Sequence, residues 1–431
     1  MLLLLHCGCK VNQYETNAMS QEFIEKGYEV VEHHEKADIY VINTCTVTNM
    51  SDRKSRQMLR RVKELNPNSI VIACGCYVQV AKDEVAKIED IDLILGNNEK
   101  KNIVEHLEQY QKDKKRQLEI EDLMQQREFV EFGDVTYTEK TRAVVKIQDG
   151  CDRFCSYCII PYARGRVRSR KPEGIISEIT KIAQEGIKEV VITGIHVASY
   201  GKDFKENYGL IDLLEDLNKI EGIERIRLSS IEPLILDEQF INRLSKLEKI
   251  CHNFHLSLQS GCDETLKRMN RRYNTEQFKT VVNLLRNTYK DAILTADVIV
   301  GFPGETEEEF GKTYKFLEDV KFYKTHVFKY SPRKGTKAAV MENQIDGNIK
   351  EQRSKKLIEL SNNFEKEYNE SYIGKTVEVL WEEEKEGIYK GHTQNYLLAY
   401  YKPEKGDMNL ENKITKANCI SAESDHIIVE I

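Results

Sequence analysis

A chain of 431 residues, 40% of them apolar, is long enough for two or three domains with buried cores. A net charge of -7 argues against a generally basic nucleic-acid binder, so any nucleic-acid partner must be held by local basic patches. The early apolar run Leu2 to Leu5 is too short for a signal-peptide core or a membrane span, which makes a soluble, cytoplasmic protein the expectation and leaves eleven cysteines to be read as reduced, metal-binding thiols.

From the start to residue 107, the strand-like runs "LLLLH", "DIYVIN", "SIVIAC" and "DLILG" alternate with amphipathic stretches such as 49–65, the pattern of an open parallel α/β sheet. Cys9 follows the first run, Cys45 the second and Cys76 the third. In a parallel sheet the strand carboxyl ends share one edge, so thiols 36 and 31 positions apart in sequence can meet in space. Three such thiols fit an iron-sulfur site short of a fourth ligand. Cys7 and Cys74 each sit two positions before one of them, across a glycine, and spacing alone leaves open which member of each pair binds.

Residues 108–141 are strongly charged and read as a helical or extended connector. The runs "AVVKIQ", "EVVITG", "RIRLSS", "FHLSLQ", "TADVIVG" and "HVFKYS" then give six βα units within 142–370, an open, partial barrel. In 371–431 the short strands "TVEVLW", "YLLAYY", "NKITKANCISAE" and "HIIVEI", with turns expected at Gly387, Gly391 and Gly406, predict a small antiparallel β-barrel.

Directly after the first barrel strand, "KIQDGCDRFCSYCIIPYARG" spaces Cys151, Cys155 and Cys158 as C-x3-C-x2-C. Three thiolates from one loop can hold three irons of a cubane and leave the fourth iron open, whereas structural zinc needs a fourth Cys or His that this loop lacks. The loop resembles that of the radical SAM superfamily. The resemblance implies a partial (βα)6 barrel and reductive cleavage of S-adenosylmethionine (SAM) to a 5′-deoxyadenosyl radical. It places Tyr157 against the adenine, although a core tyrosine is the alternative, and Thr193 and Gly194 of "VVITGIHVASYG" at the cofactor's amino group. Ser257 and Gln259 share one face of "HLSLQSG" and can bond polar groups of cofactor or target. Asp297 lies in "ADVIVGFPGETEEEF", where a plain strand-turn-helix capped by Thr306 is the alternative.

The motifs "GCKVNQYET", "NTCTVTNMSDRKSRQ" and "GCYVQ" resemble the three cysteine motifs of the methylthiotransferase family. That resemblance selects Cys9, Cys45 and Cys76 as ligands of a second cluster and makes Cys7 and Cys74 bystanders. It implies two [4Fe-4S] clusters and SAM as cofactors, and a terminal barrel like the RNA-binding TRAM domain. "GCKVNQYET" and "GHTQNYLLAYY" are most similar to the branch that methylthiolates carbon 2 of N6-threonylcarbamoyladenosine at position 37 of tRNA. In that chemistry one SAM methylates a sulfur on the N-terminal cluster, a second yields the radical that removes the carbon 2 hydrogen, and the substrate radical takes the methylthio group. The same chemistry on N6-isopentenyladenosine or a ribosomal-protein aspartate is the neighbouring reading, and a non-catalytic iron-sulfur RNA-binding sensor is the reading of another class.

An anticodon-loop base must leave its stack to be reached. "YARGRVRSRK" supplies Arg164, Arg166, Arg168 and Arg170 as expected phosphate contacts, with a solvated charge run as the alternative; Arg53, Arg56 and Arg60 beside Cys45 can add to them. Residues 372–431 hold seven lysines, no arginine and eleven acids, so the terminal barrel is expected to bind RNA by shape and through Tyr396, Tyr400 and Tyr401, with a mainly fold-supporting role as the alternative. The expected partners are a tRNA anticodon loop and an electron donor such as flavodoxin or ferredoxin, with no membrane and a monomeric chain.

Overall fold

The computed structural model describes residues 1–6, 8–31, 36–138, 141–403 and 409–431; Cys7 and the turn expected at Gly406 lie outside them. The first sheet runs β1 (Leu2–His6), β2 (Ile39–Thr44), β3 (Ile70–Gly75), β4 (Leu93–Leu95) and β5 (Gln117–Glu119), all parallel. Val30 bridges the free side of β1, so the chain steps outward after β1 and then back across it to β2. That reversal is a topological switch point, where the carboxyl ends of β1 and β2 diverge to leave a crevice. Helices α1 (Lys10–Glu25) and α5 (Ile103–Asp113) cover one face; α2 (Asn49–Leu65), α3 (Cys76–Val80) and α4 (Lys82–Val85) cover the other.

The sheet does not stop at residue 107, because β5 lies within the expected connector and pairs with β4. The rest of that segment is not a free linker. Phe132 and Val135 pack on Tyr14 of α1, and Glu131 pairs with Arg170 at 2.8 Å.

Six parallel strands form the second body: β6 (Arg142–Asp149), β8 (Glu189–Gly194), β9 (Arg225–Leu228), β10 (Asn253–Gln259), β11 (Ile293–Val300) and β12 (Lys324–Lys329). The two-residue β7 (Arg168–Ser169) adds antiparallel to β6. Single bridges, Ile226 to Ile250 and Ile231 to Leu256, link the chain around β9 to that around β10, and among the described residues β12 does not pair with β6, so the barrel is open as expected. Its helices are α6 (Ile160–Arg164), α7 (Pro172–Gln184), α8 (Leu210–Leu217), α9 (Glu238–Leu244), α10 (Asp263–Arg268), α11 (Thr275–Thr288) and α12 (Glu307–Val320), and α13 (Gly347–Glu370) packs on β12. Helix α12 starts where the sequence marks it: Thr306 accepts from the Glu309 amide, and three glutamates occupy the positive end of the helix dipole.

The C-terminal strands β13 (Thr376–Lys385), β14 (Ile388–Thr393), β15 (Leu398–Tyr401), β16 (Ile414–Ala422) and β17 (Ile427–Glu430) close into a barrel around Trp381 in the order β13-β14-β15-β17-β16. Glu386 and Gly387, both at positive φ, form the two-residue hairpin turn. Gly391 is not a turn: it lies inside β14, pressed so closely on the Leu380 carbonyl that no Cβ fits. No helix of the described residues is long and apolar enough to cross a membrane.

Candidate active site

The three-cysteine loop leaves the carboxyl end of β6 through Gly150, whose φ of +71° and contact with the Arg166 carbonyl require glycine. The turn after α10 then holds the loop: Ser156 donates its amide to the Met269 carbonyl at 3.0 Å and its hydroxyl to Arg268 at 2.8 Å. Arg271 Nη1 donates to Cys155 Sγ at 3.3 Å, and the Arg153 amide to Cys151 Sγ at 3.5 Å. Burial, together with the neighbouring thiols, pushes Cys158 up to about 12 and Cys151 up to about 11, so ligation by these two must release protons. Donors aimed at sulfur and three converging thiols suit an iron-sulfur cluster. Among the described residues no three His, Cys, Asp or Glu side chains gather into a site for a single metal ion.

Sequence reasoning misses the acid beside this loop. Glu232, just past β9, faces His196 Nε2 at 3.2 Å, Arg271 at 3.9 Å and Arg153. Burial alone would raise its carboxyl, but His196, Arg153 and Arg271 bring it down to about 2. Its place at a strand carboxyl end, in "SSIEP", was the available signal.

In the first domain the switch point gathers the other trio. Cys9 is the N-cap residue of α1, Cys45 follows β2, and Cys76 opens α3. Gly8, at φ +99°, brings the backbone so close that an added Cβ would stand 2.5 Å from Cys45 Sγ. Gly75, at φ +100°, packs equally tightly on Thr44. Arg164 Nε donates to Cys76 Sγ at 3.1 Å. Burial, then Cys76 and Cys9 among its neighbours, pushes the Cys45 thiol up to about 12. Cys74 points into the apolar core against α1 and α5.

A cavity of ≈ 880 Å³ opens where the three bodies meet, and Cys9, Thr193, Gly194 and Asp297 line it together with His392 and Tyr396 of the terminal barrel. Asp297 Oδ2 is 3.1 Å from His255 Nε2. Ser257, Gln259 and Tyr157 are not among the residues lining the cavity. Ser257 Oγ reaches its wall through Ser230 Oγ at 2.9 Å, Gln259 sits at φ +68°, and Tyr157 packs edge-on to Phe302 in an aromatic cluster. Within the recess, loss of solvation and the facing guanidiniums of Arg227 and Arg142 lower the Lys10 ammonium to about 8.

Three of the four arginines expected to face RNA do not. Arg164, Arg168 and Arg170 are buried: Arg164 pairs with Glu15 and Asp149, Arg168 lies 3.7 Å from Asp149, and Arg170 meets Glu178 at 2.9 Å. Low-dielectric burial is tolerable for guanidiniums only with such acids, and these guanidiniums join the first domain to the barrel. Arg166 alone is open, 42% exposed and stacked over Phe154. On α2, Arg53 and Arg60 are exposed, while Arg56 donates to the Tyr77 hydroxyl at 3.2 Å. Of the tyrosines, Tyr396 turns toward the cavity, Tyr401 packs on Trp381, and Tyr400 meets His426 edge-on.

The open barrel with its three-cysteine loop defines a radical SAM enzyme, which works with SAM and a [4Fe-4S] cluster. Residues 145–317 match the model of the radical SAM superfamily, and residues 2–96 that of uncharacterized protein family UPF0004. The fold is similar to a radical S-adenosylmethionine methyltransferase, TsrM, from Kitasatospora setae (TM-score 0.55, 16% identity, covering 79% of this chain and 77% of that one). Over 421 residues, the sequence is 42% identical to threonylcarbamoyladenosine tRNA methylthiotransferase MtaB of Bacillus subtilis (strain 168), covering 96% of this chain and 92% of that protein. It is 35% identical to tRNA-2-methylthio-N(6)-dimethylallyladenosine synthase of Clostridium botulinum (strain Hall), covering 97% and 95%. The chain belongs to the radical SAM methylthiotransferase family.

Proposed function

We propose that this enzyme methylthiolates carbon 2 of N6-threonylcarbamoyladenosine at position 37 of tRNA. The observation that carries the reading is the cavity between the bodies, lined by Cys9 of one thiol trio, by Thr193 and Gly194 at the end of β8, which pairs with the strand that the other trio's loop leaves, and by Asp297 of β11; the remaining five thiols of the two trios do not line it. The 42% identity to the Bacillus subtilis relative supports the choice of base. Cys151, Cys155 and Cys158 hold one [4Fe-4S] cluster, and Cys9, Cys45 and Cys76 a second. When bound, the first supplies the electron that cleaves SAM, and the second presents the sulfur that is transferred.

The chain's own task is positioning and exclusion of water. Thr193 and Gly194 bring the end of β8 to the cavity for SAM, with Gln148 packed where a Gly194 side chain would lie, while Tyr157 is held off the cavity against Phe302. Ser257 and Gln259 support the same pocket through the end of β10. Tyr396 and His392 close the cavity from the terminal barrel and give the flipped base an aromatic wall. Because Arg164, Arg168 and Arg170 are committed to acids, phosphate contacts fall to Arg166 and to Arg53 and Arg60 on the exposed face of α2. A monomer reduced by a flavodoxin or ferredoxin completes the reading.

Nucleoside mass spectrometry of tRNA from a deletion strain tests it. Loss of 2-methylthio-N6-threonylcarbamoyladenosine with accumulation of the unthiolated nucleoside is expected. An unchanged nucleoside profile rejects a tRNA target, and loss of the isopentenyl derivative instead reassigns the base.

A further inference from the structure

We propose that Lys10 and Arg227 form an anion subsite in this cavity that takes the carboxylate of the threonylcarbamoyl group, so that the enzyme selects an acidic N6 substituent over an apolar one. The inference rests on the function proposed above.

Charge counting at this corner leaves a surplus. Arg142 lies 3.8 Å from Glu189 and 3.0 Å from Glu382, and Arg227 meets Glu189 through two bonds of 2.7 and 3.2 Å. Two acids therefore face two guanidiniums, and Lys10, lining the same cavity as Arg227, is the third cation. Among the described residues no acid lies within ion-pairing distance of Lys10, although it lines the cavity directly beside Cys9. Of the other basic side chains lining the cavity, Lys324 pairs with Glu365 at 2.7 Å, His255 lies 3.1 Å from Asp297, His392 lies 2.6 Å from Glu382, and His326 packs on His255.

Arg227 gives the second, independent observation. Its side chain is 2% exposed, yet Nη1 has no hydrogen-bond partner. A guanidinium nitrogen is a donor only, so Arg227, a lining residue of the cavity, carries a buried donor that lacks an acceptor. Tyr396 holds that guanidinium in place: its ring lies 4.5 Å from the Arg227 carbon and is stacked on His392 at 4.4 Å, with its own backbone at φ +78°. A non-glycine residue keeps that conformation only when its surroundings enforce it. An unpaired ammonium, with the Arg227 guanidinium lining the same recess, matches a carboxylate, and threonylcarbamoyladenosine carries one where a dimethylallyl group carries none.

The test compares two anticodon stem-loop RNAs, one bearing threonylcarbamoyladenosine and one with its carboxylate converted to the primary amide. Kd is measured by anisotropy without reductant, and kcat/KM under turnover, for the wild type, Lys10→Gln and Lys10→Arg. Wild type and Lys10→Arg should favour the acid loop by about tenfold in both readouts, and Lys10→Gln should treat the loops alike. A wild type that binds and thiolates both loops equally overturns the subsite and leaves the proposed function standing. Equal losses on both loops in Lys10→Gln also overturn it, because they assign Lys10 to SAM, to phosphate or to the fold. A wild type that thiolates neither loop overturns both readings.

Discussion

At Gly8 the backbone turns at φ +99°, and the space a Cβ would occupy is already filled by the Cys45 side chain. Gly8→Ala must therefore move Cys45 or the switch-point loop, in addition to the roughly 1–2 kcal/mol of left-handed backbone strain. Gly27, at φ +85° with open space around it, bears the strain alone and serves as the comparison. We expect Gly8→Ala to lose about half the bound iron while 5′-deoxyadenosine is still formed, and Gly27→Ala to keep all of it; iron analysis beside a SAM-cleavage assay reads both. The placement of the thiols was legible because glycine spacing and strand ends are local signals, whereas the choice of Cys9 over Cys7 and of Cys76 over Cys74 came from the family resemblance. The fate of Arg164, Arg168 and Arg170 was not, because the acids that bury them, Glu15, Asp149, Glu131 and Glu178, are spread over the chain and only the fold assembles them.

Among the elements, α1 does the most joining. Its first turn starts from Cys9, Tyr14 donates to Glu178 at 3.1 Å, and Glu15 binds Arg164, Lys100 at 2.6 Å and Lys146 at 2.7 Å. Burial would raise the Glu15 carboxyl, but these three cations hold it well below the ordinary range. Glu15→Gln leaves buried cations short of their anion, so a loss of about 3–5 kcal/mol is expected in denaturant unfolding. A loss within about 0.5 kcal/mol, the usual range of a surface substitution, would show that the network does not hold the first domain to the barrel. The barrel strands were readable as apolar runs, each between helix-compatible segments. Three strands were hidden for physical reasons: β5 is a three-residue edge strand, "QLE", β7 is only two residues long, and β14, "IYKGHT", has only weak alternation and a glycine chosen for cross-strand contact.

For the whole molecule, the organisation into an α/β sheet, an open six-stranded barrel and a small closed barrel followed from periodicity and motif spacing, but the cavity did not. It needs a residue beside the first strand, strand ends from the barrel, and the His392–Tyr396 stack to converge, and no local pattern encodes the angle at which three bodies meet. The central claim is that two thiol trios each hold a cluster and serve this one chamber. Iron and acid-labile sulfide counts on anaerobically purified chain, with Cys9, Cys45 and Cys76 intact or all changed to Ala, test it most directly. The account predicts about eight irons in the intact chain and about four in the variant, which still cleaves SAM but transfers no methylthio group. About four irons in both proteins would contradict it.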